Sequence, residues 1–367
     1  MSTRVLVVDD ASLFRRVISE ALAGVPGVEV VGSASNGKLA LARLASLQPD
    51  LMTLDVEMPE MDGIQVLDAM RKGGVKTSVI MLSSCTVRGG KKTIRALEAG
   101  AFDFITKPEG GSAAENVTRL ADSLRPIIHT LERQREIRAI LNPAGGARSS
   151  PAPTPSPVPL PPQPAAVRAP GRSGPPIVLI GVSTGGPTAL AELVPALPAK
   201  LGAPVFIVQH MPPHFTEALA ERLQTRSAIQ VKEAQDGEIA QADRVYIAPG
   251  GRQMKVSSGQ QGEIIISITD DPPENACRPS VDYLFRSVAL HFPGRSIAAI
   301  LTGMGNDGTE GMRMLKRGGS LTIAQDAASC VVFGMPREAI LAGVVDTVVP
   351  LGKIAGTIMR AVAEVRA

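Results

Sequence analysis

Residues 142–176 hold twelve of the chain's thirty prolines, set among Ala, Ser and Gly. Proline lacks a backbone N–H and fixes φ, so neither a helix nor a sheet interior runs through such a stretch. It therefore splits the 367-residue chain into two parts, each long enough for a domain. Fully extended in polyproline form, the segment would reach up to ~100 Å at about 3.1 Å per residue. A proline-recognising partner is the other use for such a sequence; joining two domains is the plainer role. An apolar fraction of 44% supplies packed cores on both sides.

Before the linker, short apolar runs alternate with helix-length stretches. Val5–Val8, Val28–Gly32, Leu51–Leu54, Val79–Leu82 and Phe102–Ile105 have the length of buried parallel strands. Leu13–Ala23, Leu39–Leu47, Ile64–Met70 and Lys91–Ala99 lie between them, and a last helix runs from about Ala113 to Leu141. Pro126 lies inside that helix and predicts a kink or break. Five βα units imply a doubly wound parallel sheet.

In such a sheet Asp9 and Asp10, after the first strand, and Asp55, after the third, converge on one edge. Three acidic groups there suit Mg²⁺, which takes oxygen ligands and shares itself with a phosphate. Ser83 and Lys107 end the fourth and fifth strands, bringing a hydroxyl and an ammonium to the same place. Any one aspartate could merely cap a helix. Five groups on one edge are poorly explained that way. Val8-Asp9-Asp10, Leu54-Asp55-Val56-Glu57-Met58-Pro59, Met61-Asp62-Gly63, Ser83 and Lys107-Pro108 together resemble a receiver domain of two-component signalling. The resemblance implies that a sensor histidine kinase phosphorylates Asp55, that Asp9, Asp10 and Asp55 hold Mg²⁺, and that Ser83 and Lys107 sense the phosphoryl group.

After the linker the alternation resumes. Strands are expected at Ile177–Ile180, Val205–Gln209, Ile229–Lys232, Arg244–Ala248, Ile297–Leu301, Ser320–Ala324 and Val344–Val349, with Gln253–Ser257 and Glu263–Thr269 as an antiparallel hairpin. The first strand ends in Gly181-Val182-Ser183-Thr184-Gly185-Gly186-Pro187 before a helix, so Ser183 sits where unpaired N–H groups point outward. Such a place suits a phosphate or an oxyanion. A serine nucleophile needs a base, and the base an orienting acid.

Of four histidines, His129 is expected in a solvated helix, His291 at the C-terminal cap of Val281–His291, and His214 as a cap of the helix starting near Phe215. A shared His210/His214 metal site is disfavoured by Pro212 and Pro213 between them. His210 ends a strand on the Ser183 edge. Asp307, in Thr302-Gly303-Met304-Gly305-Asn306-Asp307-Gly308, ends another, with helix capping as its alternative. Ser183, His210 and Asp307 thus read as a triad from three strand ends. An α/β-hydrolase elbow would want the acid before the histidine. A dinucleotide fold would want glycine at 183, and a P-loop would want Gly-Lys-Ser/Thr.

Ser183's turn, Gln209-His210-Met211-Pro212, Ala248-Pro249-Gly250-Gly251, Arg278-Pro279-Ser280-Val281-Asp282 and Leu301–Gly308 resemble the catalytic domain of chemotaxis protein-glutamate methylesterases, the CheB family. The resemblance implies hydrolysis of glutamyl methyl esters, and of glutamines, on chemoreceptors. It implies an oxyanion hole at Met304, with Thr184 of the serine turn, and no cofactor for the ester chemistry. It also implies that the unphosphorylated receiver covers the Ser183 edge.

The expected division is a receiver at 1–125, a helical extension at 126–141, the linker at 142–176 and a catalytic domain at 177–367. The net charge of +3 does not suggest nucleic acid, and no run is long enough to span a membrane. Three scattered cysteines and the absence of a secretory h-region lead to an expectation of a cytoplasmic protein, and a monomer is expected. A phosphorylation-controlled adaptor without catalysis is the competing class; a transcription factor would need a helix-turn-helix or basic stripe.

Overall fold

The computed structural model describes residues 2–141 and 174–366; most of the proline-rich linker lies outside the described residues. The N-terminal domain runs β1 (Thr3–Val8), α1 (Ser12–Ala23), β2 (Val28–Ala34), α2 (Gly37–Leu47), β3 (Leu51–Asp55), α3 (Gly63–Lys72), β4 (Ser78–Ser83), α4 (Val87–Glu98), β5 (Asp103–Thr106) and α5 (Ala113–Leu141). Its five strands are ordered β2-β1-β3-β4-β5, all parallel. The central strands read as unbroken apolar runs because helices bury both faces.

Helix α5 continues through Pro126. Proline in a helix interior costs about 3 kcal/mol. Leu120, Leu124, Ile127, Ile128 and Leu131 are buried along α5 and pack with Val17, Ile18 and Leu22 of α1, which offsets that cost and explains why the expected break is missing.

The second domain runs β6 (Ile177–Val182), α6 (Gly186–Leu193), β7 (Val205–Gln209), α7 (Phe215–Gln224), β8 (Gln230–Glu233), β9 (Arg244–Ile247), β10 (Gln253–Ser258), β11 (Ile264–Thr269), α8 (Val281–His291), β12 (Ser296–Ile300), α9 (Thr309–Arg317), β13 (Leu321–Gln325), α10 (Met335–Leu341), β14 (Thr347–Val349) and α11 (Leu351–Arg366). Seven parallel strands are ordered β14-β13-β12-β6-β7-β9-β8, and β10 and β11 form the expected hairpin as a separate antiparallel sheet. Strand order departs from β6 in both directions, so a crevice opens beyond the carboxyl ends of β12, β6 and β7. Ser183, His210 and Asp307 follow those three strands.

The two domains share a packed core. Buried residues of the receiver and of the second domain form one continuous hydrophobic cluster. Helix α4 lies along α7, where Glu98 accepts from Arg222 (2.9 and 3.0 Å) and Arg226 (3.1 Å), and Lys91 pairs with Glu221 at 2.7 Å. Phe104 of β5 stacks on Phe215 with ring centroids 4.6 Å apart. No helix among the described residues is long and apolar enough to cross a membrane.

Candidate active site

At the receiver edge, Asp9 and Asp55 are buried and Asp10 is exposed. One oxygen from each of the three comes within 4.8 Å of the others. Lys107 Nζ lies 2.7 Å from both Asp9 Oδ2 and Asp55 Oδ2. Burial pushes the Asp55 carboxyl up to about 6, although Lys107 pulls the other way. A carboxylate set short of compensating charge, made only of hard oxygen donors, fits a Mg²⁺ ion. Ser83, also buried, turns its hydroxyl to the Ser84 carbonyl at 3.3 Å. The next residue, Cys85, contacts the Pro213 carbonyl of the second domain at 3.8 Å.

In the second domain Ser183 opens a turn that only small residues permit. A Cβ on Gly303 would lie 2.8 Å from the Ser183 Cβ, and one on Gly186 would lie 1.9 Å from Gln209 Oε1. Gly185 adopts φ +77°, in the left-handed region glycine enters without strain. The backbone of Ser183 is pinned from two sides: its N–H donates to Thr302 O at 3.0 Å, and its carbonyl accepts from Gln209 Nε2 at 3.0 Å. Gln209 Nε2 also donates to His210 O at 3.2 Å. One fully buried amide thereby ties the serine turn to the histidine that follows β7.

His210 Nε2 lies 2.7 Å from Asp307 Oδ2. Asp307 is buried and accepts four further hydrogen bonds: from Val281 N at 2.7 Å, Asp282 N at 3.0 Å, Ser280 Oγ at 2.8 Å and Asn275 Nδ2 at 2.9 Å. Two of these donors open α8, so the carboxylate sits on that helix's positive end. Burial alone would raise its pKa, but His210, Asn275 and the Val281 N–H hold it down at about 2. The capping alternative is thereby placed elsewhere. Gly308, not Asp307, is the N-cap of α9, and Asp307 serves α8 instead.

Burial likewise opposes charge on His210, yet Asp307 and Cys277 outweigh it and push the imidazole up to about 9. Asp307 takes Nε2, which leaves Nδ1 clear of the carboxylate. In this structure Nδ1 faces Cys277 Sγ at 3.6 Å. No hydrogen bond joins Ser183 Oγ to His210 among the described residues. Neither the Thr184 nor the Met304 backbone N–H donates to another group among them.

The other histidines stand apart. His214 holds the N-cap position of α7 at φ 70° and makes no side-chain cap hydrogen bond. His129 is exposed beside Glu132, and His291 closes α8 next to Phe292. Asn275 and Cys277, which flank the pair, carry no periodicity or spacing that marks them in sequence, whereas Ser280 and Asp282 fall within the Arg278–Asp282 motif. Gln209 is marked as part of the Gln209–Pro212 motif, but nothing in sequence gives its part in pinning the Ser183 carbonyl.

The receiver covers this crevice. A cleft of about 290 Å³ is lined by Ser183, Thr184, Gln209 and His210 on one side and by Asp103, Phe104 and Ile127 on the other. Thr184 Oγ1 donates to Asp103 Oδ2 at 2.8 Å. Met304 packs into the receiver's α1–α5 cluster, its sulfur 3.6 Å from Thr130 Oγ1.

The family profile described as CheB methylesterase matches residues 178–358, and that described as response regulator receiver domain matches residues 5–118. A protein of Desulfotalea psychrophila named protein-glutamate methylesterase/protein-glutamine glutaminase is 48% identical, over 98% of this chain and 98% of its own length. One of Bacillus subtilis with the same name is 42% identical, over 99% of each. The solved CheB methylesterase catalytic domain of Thermotoga maritima is 42% identical, with a TM-score of 0.50, and covers 52% of this chain and 100% of its own. The chain belongs to the CheB methylesterase family, as a member that carries an N-terminal receiver domain.

Proposed function

We propose that this chain is a phosphorylation-controlled serine hydrolase that removes methyl groups from glutamyl esters, and ammonia from glutamines, on methyl-accepting chemoreceptors during chemotaxis. The observation that supports it most is the convergence of three strand ends. A serine in a glycine turn, with free N–H groups beside it, meets a histidine held by a saturated, ionised carboxylate. His210 Nδ1 takes the Ser183 proton as Oγ attacks the side-chain carbonyl. The Thr184 and Met304 N–H groups hold the oxyanion. The His210 proton passes to the departing methanol or ammonia. Water, deprotonated by His210 in turn, hydrolyses the acyl-enzyme, and Asp307 stabilises the imidazolium formed in each half-reaction.

The receiver regulates access. Asp55 accepts a phosphoryl group from a sensor histidine kinase. Asp9, Asp10 and Asp55 would hold Mg²⁺, which supplies neutralising charge to phosphoryl oxygens when bound. Lys107 and Ser83 then turn to the phosphoryl group. Ser83 is two residues from Cys85, which touches the loop after His210, so this movement is felt at the domain contact. The receiver extends over residues 1–125 and the catalytic domain over 177–367, with the helical extension 126–141 and the linker 142–176 between. The receptor segments concerned lie in the cytoplasm, where the enzyme works as a monomer.

Methanol release from methylated receptor, with and without a small phosphodonor, tests the reading. Ser183→Ala is expected to fold normally and fall to background, while Asp55→Asn keeps basal release and loses the response to phosphodonor. Methanol release at the parent rate by Ser183→Ala would refute Ser183 as the nucleophile, whereas no release by the parent chain together with failure of a serine-reactive phosphonate to label Ser183 would leave a non-catalytic adaptor as the better account.

A further inference from the structure

Residues Glu274–Cys277 form a two-residue turn in which Glu274 and Cys277 exchange both backbone hydrogen bonds, at 2.8 and 3.1 Å. Its central residues, Asn275 and Ala276, have φ of 52° and 59°. Two successive non-glycine residues in the left-handed region are costly, Ala276 more than Asn275, and such conformations persist where surrounding contacts impose them. Both ends of the strained segment reach the catalytic pair. Asn275 Nδ2 bridges Asp307 Oδ1 and Asp282 Oδ2, each at 2.9 Å. Cys277 Sγ stands 3.6 Å from His210 Nδ1.

Resting on the hydrolase reading above, we infer that Cys277 is a positioning residue for the base: its sulfur accepts from Nδ1–H of the His210 imidazolium opposite the Asp307 contact. The ring is then gripped at both nitrogens. Asp307 alone fixes one nitrogen and leaves the ring free to pivot about that bond; the second acceptor fixes the plane. The sulfur also favours the charged base over the neutral one, in the same direction as Asp307. Cys277 thus has two effects of opposite sense. It keeps the ring plane set for Ser183, and it delays the appearance of free base as pH rises. Sulfur is a weak acceptor, which allows Nδ1 to leave it for Ser183 Oγ. The charged or titratable groups facing His210 are Asp307 after β12, Asp282 behind it on α8, Cys277 on the turn, and Asp103 of the receiver across the cleft.

The measurement is the His210 titration, followed by the imidazole carbon-bound proton resonances of the full chain, alongside kcat and KM for methanol release as functions of pH. Cys277→Ala is expected to move the His210 midpoint, and the acid limb of kcat/KM, down by about 0.5–1 pH unit. Plateau kcat is expected to fall several-fold with KM little changed. Cys277→Ser, which keeps an acceptor at shorter reach, is expected to lie between the two. An unmoved His210 midpoint in Cys277→Ala would overturn the assignment, whatever happened to kcat. A shifted midpoint in a protein that releases no methanol would instead uphold the contact and refute the hydrolase reading.

Discussion

The two domains use the same topology to opposite electrostatic ends. Both place carboxylates at the carboxyl ends of parallel strands, and both bury the decisive one. Asp55 accepts one long hydrogen bond from Glu57 N at 3.3 Å and shares a single lysine with Asp9. Its burial is under-compensated, and its carboxyl is pushed up to about 6. Asp307 receives five hydrogen bonds, two from the start of α8, and is held at about 2. An under-satisfied carboxylate gains from a cation and a new charge arriving, so it suits a switch. A saturated one has nothing to gain and stays put, so it suits an orienting acid.

The sharpest way to break this contrast is Asp307→Asn. An amide offers one acceptor where five donors converge, and its NH₂ opposes either the α8 N–H groups or His210. The imidazole loses both its orientation and its counter-charge. On the precedent of other serine hydrolases, kcat should fall about 10³–10⁴-fold. Methanol release within tenfold of the parent would mean that the saturated site is scaffolding for α8 and not part of the chemistry.

What sequence made visible follows the same divide. Ser183, His210, Asp307, Asp9, Asp55, Ser83 and Lys107 all terminate apolar runs, and a strand end on a parallel sheet has a known direction. Hence their convergence was legible. Asn275 and Cys277 were not, because a tight turn of Asn-Ala carries none of the glycine that usually announces left-handed residues. Gln209 stands in a recognisable motif, but its role is not legible there because it depends on which carbonyls face it. The continuity of α5 through Pro126 was hidden for a related reason: tertiary burial of Ile127, Ile128 and Leu131 overrides a local penalty. The face that covers Ser183 is set by shape match between two surfaces. Periodicity shows that α4 and β5 exist, and nothing in it says that Phe104 will meet Phe215.

The contact between the domains offers the next test. Glu98 sits between Arg222 and Arg226, and the two guanidiniums hold its carboxyl below the usual range although burial acts against them. It is the most enclosed of the surface ion pairs joining α4 to α7, with a side-chain exposure of 17%. Glu98→Ala removes both pairs without touching Asp55, Ser183, His210 or Asp307. Basal methanol release should rise about tenfold, since one partly enclosed charge network amounts to about 1–2 kcal/mol. Phosphodonor should then add correspondingly less. A fall in basal release would show that the receiver assists catalysis instead of restraining it.

The smallest expected effect concerns pH. Asp103 is half-buried where the receiver meets Thr184, and burial pushes its carboxyl up to about 6, against the pull of the Thr184 hydroxyl and the Phe104 N–H. Released into water it returns to the ordinary value of 3.8. A group whose pKa is raised in the covered state binds protons more tightly there, so lowering the pH through 6 favours the covered state. Above 6 the enclosed carboxylate is charged and its burial works against closure; below 6 it is neutral and that penalty fades. Hydrolysis itself also slows in acid as His210 protonates, so the informative quantity is the ratio of basal release by the full chain to that by a 174–366 fragment. The ratio should drop several-fold between pH 7 and pH 5, and Asp103→Asn, neutral at every pH, should flatten it. A ratio that is constant with pH in the parent would mean that Asp103 is reached by water in the resting protein and does not act as a latch.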